Sequence, residues 1–380
     1  PYRGRSDVLP TGRNLFAVDP RSVPTRAAHA QGVKIAEELI RRHLQEEGDY
    51  PKGLVVDLWG SASMRTAGEE VAMALHLAGL APKWDDGSER VGGFEIVPLT
   101  LLNRPRIDVT LRVSGLFRDV FPGLSQIFEA GALALADRKE ARDMNPYQVK
   151  TPRVFGPKPG LYGMNMDAAM LDYSDEGRAA AGEAWLKASE WAIDVKGNAV
   201  QDRKALEDRL HQADSFAHVQ DLTESDVLLA SDYASHEGGF SAAMAHLGAS
   251  KPSMYHVDTT KLGTPKARTM AEEIARVVRA RAANPDWASG MMRHAFRGAA
   301  EIAATLDNLA AFAHLTREVP EHLFDLYYDA TLDRADLVAF MEQENPAALQ
   351  AMRDRFAALR DAGLWVTRRN FISAQMDAAE

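Results

Sequence analysis

Leu54-Val55-Val56-Asp57-Leu58 followed by Trp59-Gly60-Ser61-Ala62-Ser63 reads as a strand running into a Gly/Ser turn. The first five residues are short, mostly apolar and include two β-branched side chains, the composition of a buried strand. A helical pattern follows from Met64 to Leu80, so this stretch predicts the strand, turn and helix of an α/β sheet. Upstream, Val33, Ala36, Leu39, Ile40 and Leu44 recur at helical spacing over 26–46, with Gly48 at the stop. Downstream, 94–102 and 107–113 are further strand candidates. In the latter, Ile107, Val109, Leu111 and Val113 alternate with Asp108, Thr110 and Arg112, which predicts one polar face and a strand only half buried in apolar surroundings. A helix enters near Pro122 and runs to about Arg138. Helices over 177–192 and 200–217, strands at 226–230 and 253–257, a short helix from Phe240 and mainly helical sequence from Pro265 complete the pattern. The fold class is therefore α/β, an open sheet core with flanking helices and a largely helical C-terminal region. The expected domains are an extended segment 1–25, an α/β domain 26–145, a second α/β portion 146–265 with a Gly/Pro loop, and a helical region 266–380.

The bulk numbers agree with a globular chain. Its 380 residues are 46% hydrophobic and 26% charged, enough to bury a substantial core. The net charge is −10, with 44 Lys and Arg against 54 Asp and Glu, which argues against nucleic acid or an anionic membrane as the main partner. The absence of Cys excludes disulfides, thiolate zinc sites, iron–sulfur clusters and a Cys nucleophile. No secretory signal and no run of 18 uncharged apolar residues occurs, so the reading is cytoplasmic. Beginning at Pro1 rather than Met, the sequence reads as a piece of a longer chain.

Familiar catalytic motifs are missing. There is no G-x-x-x-x-G-K-[ST] loop for ATP, no G-x-G-x-x-G after a strand, no G-x-S-x-G elbow and no H-E-x-x-H. What remains is polar residues at strand ends, where open α/β sheets place their sites. Arg65 and Glu69 are four apart on a predicted helix face near its N-terminus, either an anion-binding pair or a surface ion pair. Arg112, Ser114, Arg118 and Asp119 follow a strand and precede a helix; Arg118 either grips a carboxylate bidentately or braces the turn. The densest set of possible metal ligands is His211, His218, Gln220, Asp221, Asp232, His236 and Glu237, candidates for metal or proton handling or for solvated or core-satisfied polar residues around a strand. Tyr162 closes a Gly- and aromatic-containing loop that either packs a flat ligand or is a plain connection.

Several long motifs carry a resemblance. Arg3-Gly4-Arg5-Ser6-Asp7 through Arg13-Asn14, Asp57-Leu58-Trp59-Gly60, Met64-Arg65-Thr66-Ala67-Gly68-Glu69, Arg104-Pro105-Arg106-Ile107-Asp108-Val109, Ser114-Gly115-Leu116-Phe117-Arg118-Asp119, Pro159-Gly160-Leu161-Tyr162-Gly163 and His218-Val219-Gln220-Asp221 occur in this order. Together they resemble the family of large chelatase subunits that includes CobN of the aerobic cobaltochelatase and the large subunit of magnesium chelatase, and more closely its cobalt branch. The resemblance covers nearly the whole chain and corresponds to the C-terminal portion of the subunit. It implies a ligase forming nitrogen–metal bonds, which inserts Co²⁺ into hydrogenobyrinic acid a,c-diamide in cobalamin biosynthesis. It also implies ATP and Mg²⁺ on partner subunits with an AAA+ motor, in keeping with the missing P-loop. The family's His-Gly-x-x-Glu segment is upstream of these residues, so part of the active site is expected elsewhere. On this reading Arg65, Arg112, Ser114, Arg118, Asp119 and Tyr162 bind the macrocycle. Glu69, Asp221 and His218 handle protons, and His236 and Asp232 handle the metal. The family pattern around 220–240 departs here at Leu222-Thr223-Glu224-Ser225 and Ser235-His236-Glu237. The alternatives are a magnesium-chelatase large subunit inserting Mg²⁺ into protoporphyrin IX, and a non-catalytic tetrapyrrole-binding or docking portion.

Overall fold

The structure, a computed structural model, describes residues 18–367. The Arg3–Asn14 motif and most of the extended 1–25 segment lie outside the described residues. The strands are β1 (Gly53–Leu58), β2 (Leu80–Trp84), β3 (Val91–Ile96), β4 (Asp108–Val113), β5 (Val154–Gly156), β6 (Trp191–Ile193), β7 (Ala199–Gln201), β8 (Ser215–Gln220), β9 (Ser253–Asp258) and β10 (Lys266–Thr269). Eight of them form one sheet in the order β10-β9-β8-β1-β4-β5-β6-β7, while β2 and β3 make an antiparallel pair. β9, β8, β1, β4 and β5 run parallel, and β6 and β7 are antiparallel additions. This is the open α/β sheet with a helical C-terminal region that the sequence predicts.

Two compact units are present. The first comprises the described residues up to 165 together with 186–223 and 247–268, and holds the sheet; the second comprises 166–185, 224–246 and the chain from 269. In the first unit one face of the sheet is apolar. Leu54, Val56 and Leu58 of β1, Val109, Leu111 and Val113 of β4, and Val219 and Val257 join one core with Ile35 and Leu39 of helix Arg26–Glu47, Leu75 and Leu77 of helix Glu69–Ala78, and Phe128 of helix Pro122–Ala136. Each fully buried aliphatic or aromatic side chain contributes about 1.5–3 kcal/mol. Gly32 permits the close approach of the first two helices: a Cβ there would lie 2.5 Å from Ala72 Cβ and 2.7 Å from the Glu69 carbonyl oxygen.

The opposite face of β4 carries Asp108, Thr110 and Arg112 and is polar, and it too is buried. All six residues of β4 are buried, which corrects the half-buried reading of 107–113. A central parallel strand is covered on both sides, and charges buried there must be paired. Asp108 accepts hydrogen bonds from Arg153 Nε at 2.8 Å and Arg209 Nη1 at 2.5 Å, and Arg209 Nε also donates to Thr110 Oγ1 at 2.8 Å. The period of two holds, but the polar face meets buried guanidinium groups rather than water.

Other local readings change for identifiable reasons. The helix predicted over 64–80 is two helices, Gly60–Thr66 and Glu69–Ala78. Between them Ala67 and Gly68 adopt left-handed φ values of 56° and 91°, which no continuous right-handed helix accommodates. Arg65 and Glu69 therefore do not share a helix face. Residues 94–102 end one strand and then form the short helix Leu99–Leu102. The helix predicted over 200–217 stops at Gln212, and β8 begins at Ser215. Residues 226–230 are turns instead of a strand, shaped by Asp226, whose carboxylate accepts from Leu228 N and, bidentately, from Arg281. The 177–192 helix closes at Lys187, leaving room for β6, and β10 precedes the helix Met270–Val277, which starts with a Thr269/Glu272 capping box.

The second unit is helical, built around Ala295–Thr316. Its segment Ala234–Gly238 is a π-helical turn with Ser235, His236 and Glu237 buried. Trp185 donates from its indole Nε1 to the His236 carbonyl at 3.1 Å and packs edge-on against Phe240.

Candidate functional site

Chain order and strand order together locate the site. From β1 the chain moves to β4 and β5 on one side, then returns to β8 and β9 on the other. The reversal lies between β1 and β8, and ligands of open α/β sheets bind outside the carboxyl ends of the strands at such a switch point. Asp57 is in register with both Arg112 of β4 and His218 of β8, and His218 is in register with His256 of β9. In-register partners on parallel strands project to the same face, so Arg112, Asp57, His218 and His256 form one row across four strands. All four are buried, none more than 3% exposed.

The row is tied together by specific contacts. Arg112 Nη1 donates to Asp57 Oδ1 at 3.2 Å, and its Nε donates to Ser189 Oγ at 3.2 Å. Trp59 Nε1 donates to Asp57 Oδ2 at 2.7 Å, and His218 Nδ1 stands 3.6 Å from the same oxygen. The Trp59 ring meets His218 edge-on at 4.6 Å between centroids, and the His256 ring is stacked against His218 at 5.9 Å and 24°. His256 Nε2 is 2.7 Å from Gln220 Oε1. One residue beyond β8, Asp221 receives both Arg65 Nε at 2.7 Å and Arg65 Nη2 at 2.8 Å, a bidentate pair across 156 residues of sequence. Arg65 thus pairs with Asp221, and the two halves of the switch point are joined by charge as well as by the sheet.

Neighbouring positions have defined roles. Ser114 Oγ accepts from Gly60 N at 3.1 Å and from Phe117 N at 3.2 Å, so it caps its own helix and supports the start of Gly60–Thr66. Arg118 donates to the carbonyls of Pro157 and Lys158 at 2.9 and 2.8 Å and to Asp119 Oδ1 at 2.7 Å. The Tyr162 hydroxyl donates to Asp119, and the Arg118 guanidinium lies 5.6 Å from the Tyr162 ring centroid. These three residues pin the Gly/Pro loop to the end of β4. Glu69 is buried at the start of its helix and lines a shallow cleft with Thr259, Lys261 and Leu262. His236 and Asp232 belong to the second unit. Among the described residues no group of three or more His, Asp and Glu is arranged to hold a metal ion.

Glu70, beside Glu69, carries no sequence signal that singles it out. It is buried and accepts from Ser63 Oγ at 2.6 Å and Thr66 Oγ1 at 3.1 Å. Burial, reinforced by the charge of Asp221, raises its pKa, against the opposing effect of those hydrogen bonds. Above the ordinary carboxylate range the native state therefore holds a proton that the unfolded chain has released, so stability falls as pH rises through the native pKa. Glu70→Gln is expected to remove that fall, and urea unfolding midpoints measured from pH 4.5 upward will show a flatter profile than wild type.

Asp57, Trp59 and His256 are site residues that sequence reasoning misses. A signal is nonetheless present: a His between Tyr255 and Val257 in an otherwise apolar strand, and an Asp between Val56 and Leu58, occupy the face opposite the core at a spacing of two.

A family model described as CobN/Magnesium Chelatase matches residues 1–371. The aerobic cobaltochelatase subunit CobN of a Sinorhizobium species is 42% identical over 100% of this chain and 31% of its own length. CobN of Pseudomonas aeruginosa is 41% identical over 96% of this chain and 31% of its own. The corresponding magnesium-chelatase subunit of Rhodobacter capsulatus is 26% identical over 98% of this chain and 32% of its own. The solved catalytic subunit of cobaltochelatase from Mycobacterium tuberculosis superposes with a TM-score of 0.91 at 32% identity, over 98% of this chain and 33% of that one. The chain spans about a third of the length of these relatives. On its sequence and on its fold, this chain belongs to the CobN/magnesium chelatase family.

Proposed function

We propose that this chain is the macrocycle-handling portion of a cobaltochelatase large subunit. It takes part in inserting Co²⁺ into hydrogenobyrinic acid a,c-diamide for cobalamin biosynthesis, in the cytoplasm, while AAA+ partner subunits hydrolyse ATP with Mg²⁺. The observation that carries the cobalt reading is the identity gradient: 41–42% to two CobN subunits against 26% to a magnesium-chelatase subunit over nearly the same span. The absence of a P-loop from the sequence fits ATP hydrolysis on another chain.

Chelation must strip water from the metal and take two protons from ring nitrogens, so it needs bases near the ring and cations for the ring's acidic side chains. Arg65 is the most exposed of the three candidate anchors, with 21% of its side chain accessible against 3% for Arg112 and 8% for Arg118. It is the cation that meets a ring carboxylate, held in place by Asp221. Arg112 serves the buried row, and Arg118 with Ser114, Asp119 and Tyr162 holds the loop that borders the site. His218, Asp221 and Glu69 are the proton-handling groups. His236 and Asp232 of the second unit are the metal-handling pair.

Absorbance titration of the 380-residue chain with hydrogenobyrinic acid a,c-diamide, with protoporphyrin IX in parallel, tests this reading. Micromolar binding of the corrinoid and at least tenfold weaker binding of the porphyrin is the expected result. The reverse preference would assign the chain to the magnesium branch. A folded chain that binds neither would remove the macrocycle from these residues.

A further inference from the structure

We propose that Leu116, Leu161 and Tyr162 form an apolar ledge that takes one face of the tetrapyrrole, with Lys158 at its border meeting a ring carboxylate. The inference rests on the macrocycle reading above and names the place on this chain where the ring lies. All four residues belong to the first unit. Ser114 N donates to the Leu58 carbonyl at 2.9 Å, so the helix Gly115–Val120 starts beside the end of β1. A Cβ at Gly60 would lie 2.8 Å from Leu116 Cγ, which places Leu116 against the start of helix Gly60–Thr66. A Cβ at Gly115 would lie 2.6 Å from Tyr162 Cδ1 and 2.8 Å from the Leu161 carbonyl oxygen. The loop after β5 therefore rests on the same helix start, and the three side chains gather around Gly115 at the carboxyl ends of β1, β4 and β5, where open sheets bind their ligands.

Leu116 is 40% exposed, Leu161 53% and Tyr162 57%. Single exposed apolar residues are ordinary, but these three are neighbours and the loop that carries two of them is fixed. Leu161 N donates to the Lys158 carbonyl at 2.9 Å, and Gly160 after Pro159 has φ of 82°, the signature of a type II turn. Arg118 donates to the carbonyls of Pro157 and Lys158, and the Tyr162 hydroxyl donates to Asp119. Exposed apolar groups on a backbone held this way have little freedom left to lose when a ligand lands on them.

Charge identifies the occupant. The carboxylate nearest the ledge, Asp119, is engaged by Arg118 and by Tyr162. Lys158 is exposed and has no acidic partner among the described residues; its ammonium lies 5.7 Å from the Trp191 ring centroid. In a chain of net charge −10, an apolar ledge bordered by an unpaired cation matches a ligand with an apolar ring and an acidic rim. Arg65 supplies a second cation five residues along the helix from Gly60, about 8 Å of rise.

The test is absorbance titration of the 380-residue chain and its variants with hydrogenobyrinic acid a,c-diamide. Leu161→Asp removes apolar contact and sets a negative charge against the acidic rim, and should weaken binding about tenfold or more. Lys158→Ala should weaken it about threefold and flatten its dependence on salt. Leu101→Asp, at a residue 77% exposed in helix Leu99–Leu102, is the control and should bind within about twofold of wild type. Should Leu161→Asp fail to fold, the double variant Leu116→Ser, Leu161→Ser carries the same expectation. Wild-type affinity in these ledge variants overturns the ledge and leaves the macrocycle reading standing, whereas a folded wild-type chain that binds no corrinoid removes both. In the full-length large subunit, amide hydrogen exchange over 158–163 should slow when the corrinoid is added. Exchange that is already slow and does not change on addition would mean that another protein segment covers the ledge, and overturns the proposal. With the partner subunits present, Leu161→Asp should raise KM for the corrinoid about tenfold and leave kcat within about twofold. A loss confined to kcat overturns the proposal.

Discussion

Asp108→Ala is expected to destabilise the protein by about 3–5 kcal/mol, because it leaves two buried guanidinium groups without their shared carboxylate. Asp108 sits between Arg153 and Arg209, whose side chains are 1% and 2% accessible. Burial alone would raise its pKa, but the two arginines and their hydrogen bonds outweigh this and hold it below the usual carboxylate range. The pair therefore contributes fully above the unfolded pKa, and the contribution is lost as pH falls through the lower native value. Differential scanning calorimetry at pH 7 should show a melting temperature lower by on the order of 10 °C, and the difference from wild type should shrink on acidification. The exposed pair Lys150–Asp137, 2.8 Å apart, is the control: Lys150→Ala should change stability by less than about 0.5 kcal/mol. Equal effects at the two sites would mean that the polar face of β4 is hydrated in solution.

The second large effect concerns Asp221. Asp221→Ala removes the bidentate acceptor of Arg65, and Arg65 then loses its fixed direction toward the end of β8. On the chelatase reading the rate of cobalt insertion by the reconstituted complex falls about 100-fold, as a misplaced anchor and a lost base both act on the step. Stability should change by only about 1 kcal/mol, since the guanidinium regains water at a partly exposed position. Corrinoid absorbance after mixing with Co²⁺ and ATP follows the reaction. Unchanged insertion with a lower melting temperature would instead make the pair a brace between helix Gly60–Thr66 and β8.

How much of this is legible in the sequence varies with the kind of signal. β1, β9 and helix Arg26–Glu47 are readable because apolar periodicity and end signals agree there. β8 is not: Ser215–Gln220 alternates Phe216, His218 and Gln220 with Ala217 and Val219, and its apolar residues also fit the end of the preceding helix pattern. The break at Ala67-Gly68 is hidden because left-handed backbone at Ala carries no sequence mark. Among the site residues, Arg65, Arg112, His218 and Asp221 can be found individually from their positions at strand ends. Their pairings cannot, because registers such as Asp57 with both Arg112 and His218 arise only when strands far apart in sequence lie side by side. Glu70 is invisible for a related reason: its burial depends on how helix Glu69–Ala78 enters the core.

The strand order carries a cost during synthesis. β1 is central in the finished sheet, but β8 leaves the ribosome roughly 150 residues later, about 8–30 s at ordinary translation rates. Until then the neighbour of β1 on that side is missing, and a sheet assembled from β1, β4, β5, β6 and β7 alone would leave mostly apolar β1 as its rim, with its backbone donors and acceptors open to any other nascent chain. Yield in a heterologous host should therefore follow chaperone supply and translation speed between residues 58 and 215 more closely than it follows the stability of the finished fold.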